Sequence, residues 1–208
     1  MKNKVIVRNL GVKNWYNVFF NMNIFTSFRD QHTLDEIWLV EHEPVYTIGQ
    51  IEKNSFFSHI YNIPVISSNR GGKITYHAPG QQVVYLLLNL KRLKINIRKL
   101  LFLIDTIVLN TLYYFSIIGK NNIYRPGIYL GKKKICSIGL RIQKDCCLHG
   151  FALNVKMDLK PFTYIHPCGD STIQMTQMYN VNKFISLHQV CEVLLKKILF
   201  FFNMQCVS

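Results

Sequence analysis

Acidic residues are scarce in this 208-residue chain: 11 Asp and Glu stand against 25 Lys and Arg, a formal net charge of +14. A surface so short of one sign favours acidic macromolecules or anionic surfaces as partners. The chain also lacks a secretory run, because Lys2, Lys4 and Arg8 interrupt its opening residues before apolar length can build. This predicts a cytoplasmic protein. No Cys-x-x-Cys spacing joins Cys136, Cys146, Cys147, Cys168, Cys191 and Cys206. That argues against a disulfide framework and against a zinc ribbon, so any special cysteine acts as a free thiol. Repeats, low-complexity tracts and Pro/Gly/Ser-rich linkers are missing too, which predicts one domain over residues 1–208.

What is present is apolar: 49% hydrophobic and 13% aromatic residues, with a mean hydropathy of +0.11, exclude intrinsic disorder. The most apolar stretch, Leu100 to Ile118, carries Asp105, Thr106, Asn110, Thr111 and Ser116 along one side of a helical wheel. It reads as a buried amphipathic helix rather than a membrane span. Strands are expected at Val5 to Val7, Ile37 to Glu41, Val45 to Ile48, Gln82 to Leu88 and Gly150 to Val155. A hairpin turning at Gly131 joins Ile128 to Leu130 with Lys134 to Ile142. Further helices fit Trp15 to Phe28 and Leu187 to Phe202, the latter with Val193, Leu194, Ile198 and Phe201 inward. Between them, Arg70 to Gly80 has the composition of a shaped loop. The pattern predicts an α/β (α+β-like) domain with one mixed β-sheet flanked by helices.

Several side chains carry chemistry. Cys168 sits between Pro167 and Gly169, which leave its sulfur accessible, but a reactive thiol needs a cationic neighbour to favour the thiolate. Lys134, His149 and His166 are the candidates; otherwise Cys168 is a small hydrophobe in a turn. The run Lys132-Lys133-Lys134 has the character of a solvated turn, yet Lys134 opens an apolar strand and is placed to point into a cleft as a base. Cys146-Cys147-Leu148-His149 offers no second ligand pair at finger spacing, so His149 reads as a core or loop histidine and no metal is expected. His77 suits either a loop hydrogen bond or a contact to substrate.

Taken together these tracts resemble the lipoyl(octanoyl) transferase family, the octanoyltransferases of lipoate biosynthesis. The family pattern Arg-Gly-Gly-x-x-Thr-Tyr-His-Gly-Pro-Gly-Gln appears as Arg70-Gly71-Gly72-Lys73-Ile74-Thr75-Tyr76-His77-Ala78-Pro79-Gly80-Gln81, with Ala78 the one departure. Leu34 to His42, Lys134 to Arg141, His149 to Val155 and His166-Pro167-Cys168-Gly169 match in the same order, so the resemblance spans roughly residues 30 to 178. It implies a biotin/lipoyl protein ligase-like fold and transfer of an octanoyl group from octanoyl-acyl carrier protein to a lysine of lipoyl domains. The acceptors it implies are those of the 2-oxo acid dehydrogenase complexes and of the glycine cleavage H protein. In that family the cysteine matched by Cys168 becomes acylated, and the lysine matched by Lys134 is the general acid/base.

The same resemblance assigns the acyl pocket to Arg70, Gly71, Gly72, Lys73, Ile74, Thr75, Tyr76 and His77, with Ser137, Ile138, Gly139, Gly150, Phe151 and Ala152. The small residues among them would leave room for a narrow apolar slot. Cys147 stands where the family often has serine. No cofactor and no ATP are expected, nor nucleic acid or membrane among the partners, and the chain is expected to be a monomer. The rival readings are an ATP-dependent lipoate or biotin ligase of the same fold, and a basic nucleic-acid-binding module suggested by charge alone.

Overall fold

The computed structural model describes residues 2–52, 58–122, 124–166 and 172–207. Cys168, Pro167 and Gly169 therefore lie outside the described residues.

The chain opens with β1 (Asn3–Lys13), crosses through α1 (Trp15–Phe28) and returns as β2 (Asp35–His42), parallel to β1. Beyond Glu43-Pro44 the next strand, β3 (Val45–Ile48), leaves for a second sheet, pairing with β5 (Ile63–Ser67) and β6 (Thr75–His77). The edge of that sheet is β4 (His59–Ile60). Next come β7 (Gln81–Leu87), a short α2 (Leu90–Leu93) and the long α3 (Ile97–Tyr114). After β8 (Lys120–Asn121) and β9 (Ile128–Leu130), the hairpin β10 (Lys133–Gln143) and β11 (Cys146–Asn154) fills the sheet centre. The chain closes with α4 (Leu187–Phe201) and β12 (Met204–Cys206). The main sheet runs β12-β1-β2-β7-β11-β10-β9-β8, parallel at β12-β1-β2 and antiparallel elsewhere.

Apolar alternation explains the layers. On one sheet face Val84, Leu86, Phe151 and Leu153 pack with α3 and α4. On the other, Val83, Tyr85, Leu148 and Ala152 pack with Val18 and Met22 of α1. A third cluster, Tyr46, Tyr76, Phe162 and Ile165, fills the space behind the smaller sheet. Leu100, Ile104, Ile107, Val108 and Leu112 of α3 are fully buried, each contributing roughly 1.5–3 kcal/mol of apolar burial. Among the described residues no helix is long and apolar enough to cross a membrane.

The elements differ from the sequence reading at their ends. Helix α3 starts before Leu100 because Asn96 caps it, accepting from the Lys99 amide at 2.9 Å; it stops at Tyr114, just before Ser116 turns left-handed (φ 59). Strand β11 begins at Cys146, not Gly150, because Lys144 and Asp145 both take positive φ and close a two-residue hairpin. The loop over 70–80 contains β6. In α4 the buried residues are Val190, Leu194 and Ile198, while Val193 is half-buried.

Gly150 marks a close approach of β11 to β7: a Cβ there would overlap the Val84 carbonyl oxygen of the neighbouring strand. Gly150→Ala is expected to lower unfolding free energy by about 2 kcal/mol or more, since β7 and β11 must separate to admit the methyl group. Urea denaturation measures it, and unchanged stability would refute the close packing.

Candidate active site

Lys134 is a buried lysine, 1% exposed, near the start of β10. Its ammonium nitrogen lies over the Tyr129 ring, 5.6 Å from the centroid, and its stem packs over Gly127. Its backbone is held by a segment distant in sequence: the Lys134 amide donates to the Gln174 carbonyl at 2.8 Å, and the Thr176 amide donates to the Lys134 carbonyl at 2.8 Å. Gln174 stands six residues after Cys168 in the chain.

The two triplets taken as pocket residues prove to be register partners. Ser137 pairs with Ala152, Ile138 with Phe151, and Gly139 with Gly150 in the β10–β11 ladder. Arg70 lies over this ladder, its Cδ 3.0 Å from where a Gly139 Cβ would stand, and the Gly71 amide donates to the Leu140 carbonyl at 2.9 Å. The Gly71 amide is thus committed to the sheet. Gly139 makes room for the Arg70 side chain and Gly150 for the Val84 carbonyl, so the space these glycines free is occupied by protein. Gly72 (φ 85) lies so close to Gly49 that a Cβ on Gly49 would overlap the Gly72 carbonyl oxygen. Lys73, Ile74 and Thr75 are half-buried and lead into Tyr76 and His77, both buried. Ala78, buried where the family has glycine, is not among the positive-φ residues, so alanine fits its backbone.

Arg70, 9% exposed, donates to the Thr47 hydroxyl at 2.9 Å, to the Thr47 carbonyl at 2.7 Å and to the Gly71 carbonyl at 3.0 Å. Thr47 Oγ1 lies 3.2 Å from His77 Nε2, and His77 Nδ1 lies 2.7 Å from Gln81 Oε1. The Gln81 amide nitrogen donates to Asn154 Oδ1 and to the Tyr76 carbonyl, so its oxygen faces His77 and His77 donates from Nδ1. The remaining His77 nitrogen accepts from Thr47, leaving the ring neutral. Burial, reinforced by His42, pushes its pKa down to about 3. His42 donates from Nδ1 to the Lys13 carbonyl and accepts from the Tyr85 hydroxyl at 2.8 Å; burial lowers it to about 4. His149 turns left-handed (φ 60), stacks toward Phe19 and donates to Asn69 Oδ1. Burial, then Arg70, holds it at about 3. A neutral His149 is therefore not a cation that could favour a thiolate, whereas His166 is exposed.

Cys136 and Cys147 are both fully buried, and burial pushes both thiols well above the ordinary range. Cys147 packs into the α3/α4 core. Beside Lys134, a groove of about 440 Å³ has Tyr129 in its wall and carries Lys120, Arg125 and Lys132, with no acidic side chain among its described lining residues. Sequence reasoning gave no role to Thr47, Gln81, Asn154 or Thr176, although each is a polar residue in or beside an apolar strand, a position that demands a buried partner.

The three neutral imidazoles set a pH dependence. Their folded pKa values of about 3 to 4 lie below the unfolded value near 6.5, so the unfolded chain binds more protons in that window. Stability is expected to be complete above about pH 6.5 and to be lost as pH falls toward 4, with a slope of up to about 4 kcal/mol per unit. Urea midpoints between pH 7.5 and 4.5 measure this; a flat profile would show that the rings are not buried neutral.

Comparison with known proteins fits this geometry. Residues 14–199 match the family described as the lipoyl protein ligase A/B catalytic domain. The octanoyltransferase of Buchnera aphidicola subsp. Schizaphis graminum is 44% identical, covering 100% of this chain and 98% of the relative. That of Klebsiella pneumoniae subsp. pneumoniae is 52% identical over 176 residues, 85% of this chain and 82% of its own length. A crystal structure of lipoate-protein ligase A bound with ATP superposes with a TM-score of 0.77 at 13% identity, covering 100% of this chain and 90% of that one. The Aquifex aeolicus biotin protein ligase with biotin and ATP gives a TM-score of 0.57 at 14% identity, over 98% and 71% of the two chains. The shared fold is thus that of lipoate and biotin ligases, and the chain belongs to the octanoyltransferases of the lipoyl protein ligase A/B catalytic-domain family.

Proposed function

We propose that the chain moves an octanoyl group from the thioester of octanoyl-acyl carrier protein to a lysine of a lipoyl domain, through an acyl-enzyme on Cys168. The observation that carries this reading is Lys134, a buried lysine whose backbone is tied to the segment following Cys168. The deeply buried Cys136 and Cys147 are unsuited to nucleophilic attack, and that step is assigned to Cys168 on the likeness of His166-Pro167-Cys168-Gly169 to the family motif.

In the first half-reaction the Cys168 thiolate attacks the thioester carbonyl carbon. The bond to the carrier sulfur breaks, and the Lys134 ammonium gives its proton to that leaving sulfur. In the second, the acceptor lysine attacks the new thioester as a neutral amine. The Lys134 amine takes the proton from the attacking nitrogen, and the Cys168 thiolate leaves, restoring the starting charge state. Thioester exchange is nearly balanced and the amide product is stable, so the reaction asks for positioning rather than an energy source.

The basic groove gives the donor a landing site. A carrier protein presents its acyl chain on an arm attached through a phosphodiester, and Lys120, Arg125 and Lys132 supply positive charge beside Lys134.

Mixing the protein with octanoyl-acyl carrier protein is expected to add one octanoyl mass to it. Adding an apo lipoyl domain without ATP then moves that mass to the domain, and Cys168→Ala does neither. Transfer by Cys168→Ala at the wild-type rate would remove the nucleophile assignment, and transfer only with ATP would make the chain a ligase. Reversing Lys120 and Lys132 together to Glu is expected to raise KM for the carrier-bound donor about tenfold at low salt, with kcat held. An unchanged KM would remove the groove from donor binding.

A further inference from the structure

Lys134 stands where the sheet divides. The β10–β11 ladder closes with Cys136 opposite Leu153, so continuing it two residues further would set Lys134 against Val155. Val155 is engaged elsewhere: its amide donates to the Gly80 carbonyl at 3.1 Å, and its carbonyl accepts from the Tyr179 amide at 2.9 Å. The backbone of Lys134 pairs instead with Gln174 and Thr176, in a parallel bridge centred on Met175. One side chain spans the division. Asn154, the last residue of β11 and 1% exposed, donates from Nδ2 to the Thr176 carbonyl at 2.9 Å and accepts at Oδ1 from Gln81 Nε2 at 2.9 Å.

This amide has one workable orientation. Flipped, it would set an oxygen against the Thr176 carbonyl and an NH2 against the Gln81 NH2, breaking both hydrogen bonds and opposing like groups in a buried place. Gln81 is itself fixed by His77 and by the Tyr76 carbonyl, so the orientation of Asn154 is set from the glycine-rich loop side. The Thr176 peptide passes the restraint on, since its carbonyl accepts from Asn154 and its amide donates to the Lys134 carbonyl.

We propose that Asn154 is a positioning residue for acyl transfer: locked by Gln81, its side-chain amide holds the Gln174–Thr176 segment against Lys134 and fixes where the Lys134 ammonium stands. The inference rests on the reading of Lys134 as the acid/base. Only a side chain with a donor and an acceptor at this short reach does both jobs. Aspartate keeps the size and the acceptor for Gln81 but replaces the donor to Thr176 with an oxygen that repels that carbonyl from a buried position, so Asn154→Asp releases the clamp.

The test is a double-mutant cycle on turnover, using the full chain with octanoyl-acyl carrier protein and an apo lipoyl domain. Asn154→Asp is expected to lower kcat about tenfold or more, with KM for both substrates within about twofold, because misplacement rather than binding is lost. In a Lys134→Ala background the same change is expected to cost less than about twofold further, since the residue it positions is gone. Multiplicative losses, or a rise in KM with kcat held, would overturn the proposal and leave Asn154 a structural residue. If Lys134→Ala itself turns over normally, the acid/base reading fails first, which the cycle records separately. Should Asn154→Asp unfold, Gln81→Glu removes the donor that orients Asn154, and the same non-additivity with Lys134→Ala is required of it.

Discussion

A buried guanidinium has only donors, and that fact about Arg70 propagates through the site. Because Arg70 donates to the Thr47 hydroxyl, the Thr47 proton is free to go to His77 Nε2, and His77 must then donate from Nδ1 to Gln81. Gln81 donates to Asn154, and Asn154 donates to the Thr176 carbonyl. Every bond in this chain points the same way, from an always-charged donor to a backbone acceptor, so each dipole reinforces the next. Inverting one link would strand a buried donor or acceptor at about 1–3 kcal/mol. The neutrality of His77 is part of the same constraint, since a protonated ring would turn both its nitrogens into donors and break the link to Thr47.

The architecture exists to make that chain possible. Thr47 comes from β3 and His77 from β6 in the smaller sheet, whereas Gln81 and Asn154 come from the neighbouring β7 and β11 in the larger one. The polar line therefore stitches two sheets whose cores are separately apolar: it crosses between them at the His77–Gln81 bond, and the Arg70 stem reaches the larger sheet again over Gly139. Glycine at 139 and 150 serves this proximity: one admits the Arg70 stem, the other lets β7 and β11 approach closely. The ladder that carries the candidate pocket residues thus gains precision from contacts that an added methyl group would push apart.

Much of this was legible in the sequence, for identifiable reasons. Strands with continuous apolar runs and helices with a buried stripe announced themselves, because burial on both faces or on one face leaves a periodic trace. The glycine-rich tract and Lys134 stood out since both break the local pattern. What stayed hidden was long-range or stereochemical. Nothing in Lys144-Asp145 advertises a two-residue hairpin in place of the usual Asn-Gly or Asp-Gly, and β11 consequently begins four residues before the stretch that looks like a strand. Asn154 and Thr176 are 22 positions apart, and their pairing depends on Val155 being diverted to Gly80 and Tyr179. Polar residues embedded in apolar strands say that a partner exists, though not which one.

The same scaffold in a lipoate-protein ligase bound with ATP, at a TM-score of 0.77 and 13% identity, separates fold from chemistry. A ligase must activate a free acid, which takes an energy source; a transferase receives its acyl group already activated as a thioester. What the transferase needs instead is a proton donor that becomes a proton acceptor one step later, without rearrangement between the half-reactions. A lysine held by backbone bonds near the start of an interior strand, with its side-chain nitrogen over an aromatic ring, meets that need better than one on a mobile loop. Tyr129 lines the basic groove and also lies under the Lys134 nitrogen, so in the proposed reaction charge recognition of the donor and proton transfer would meet at one ring.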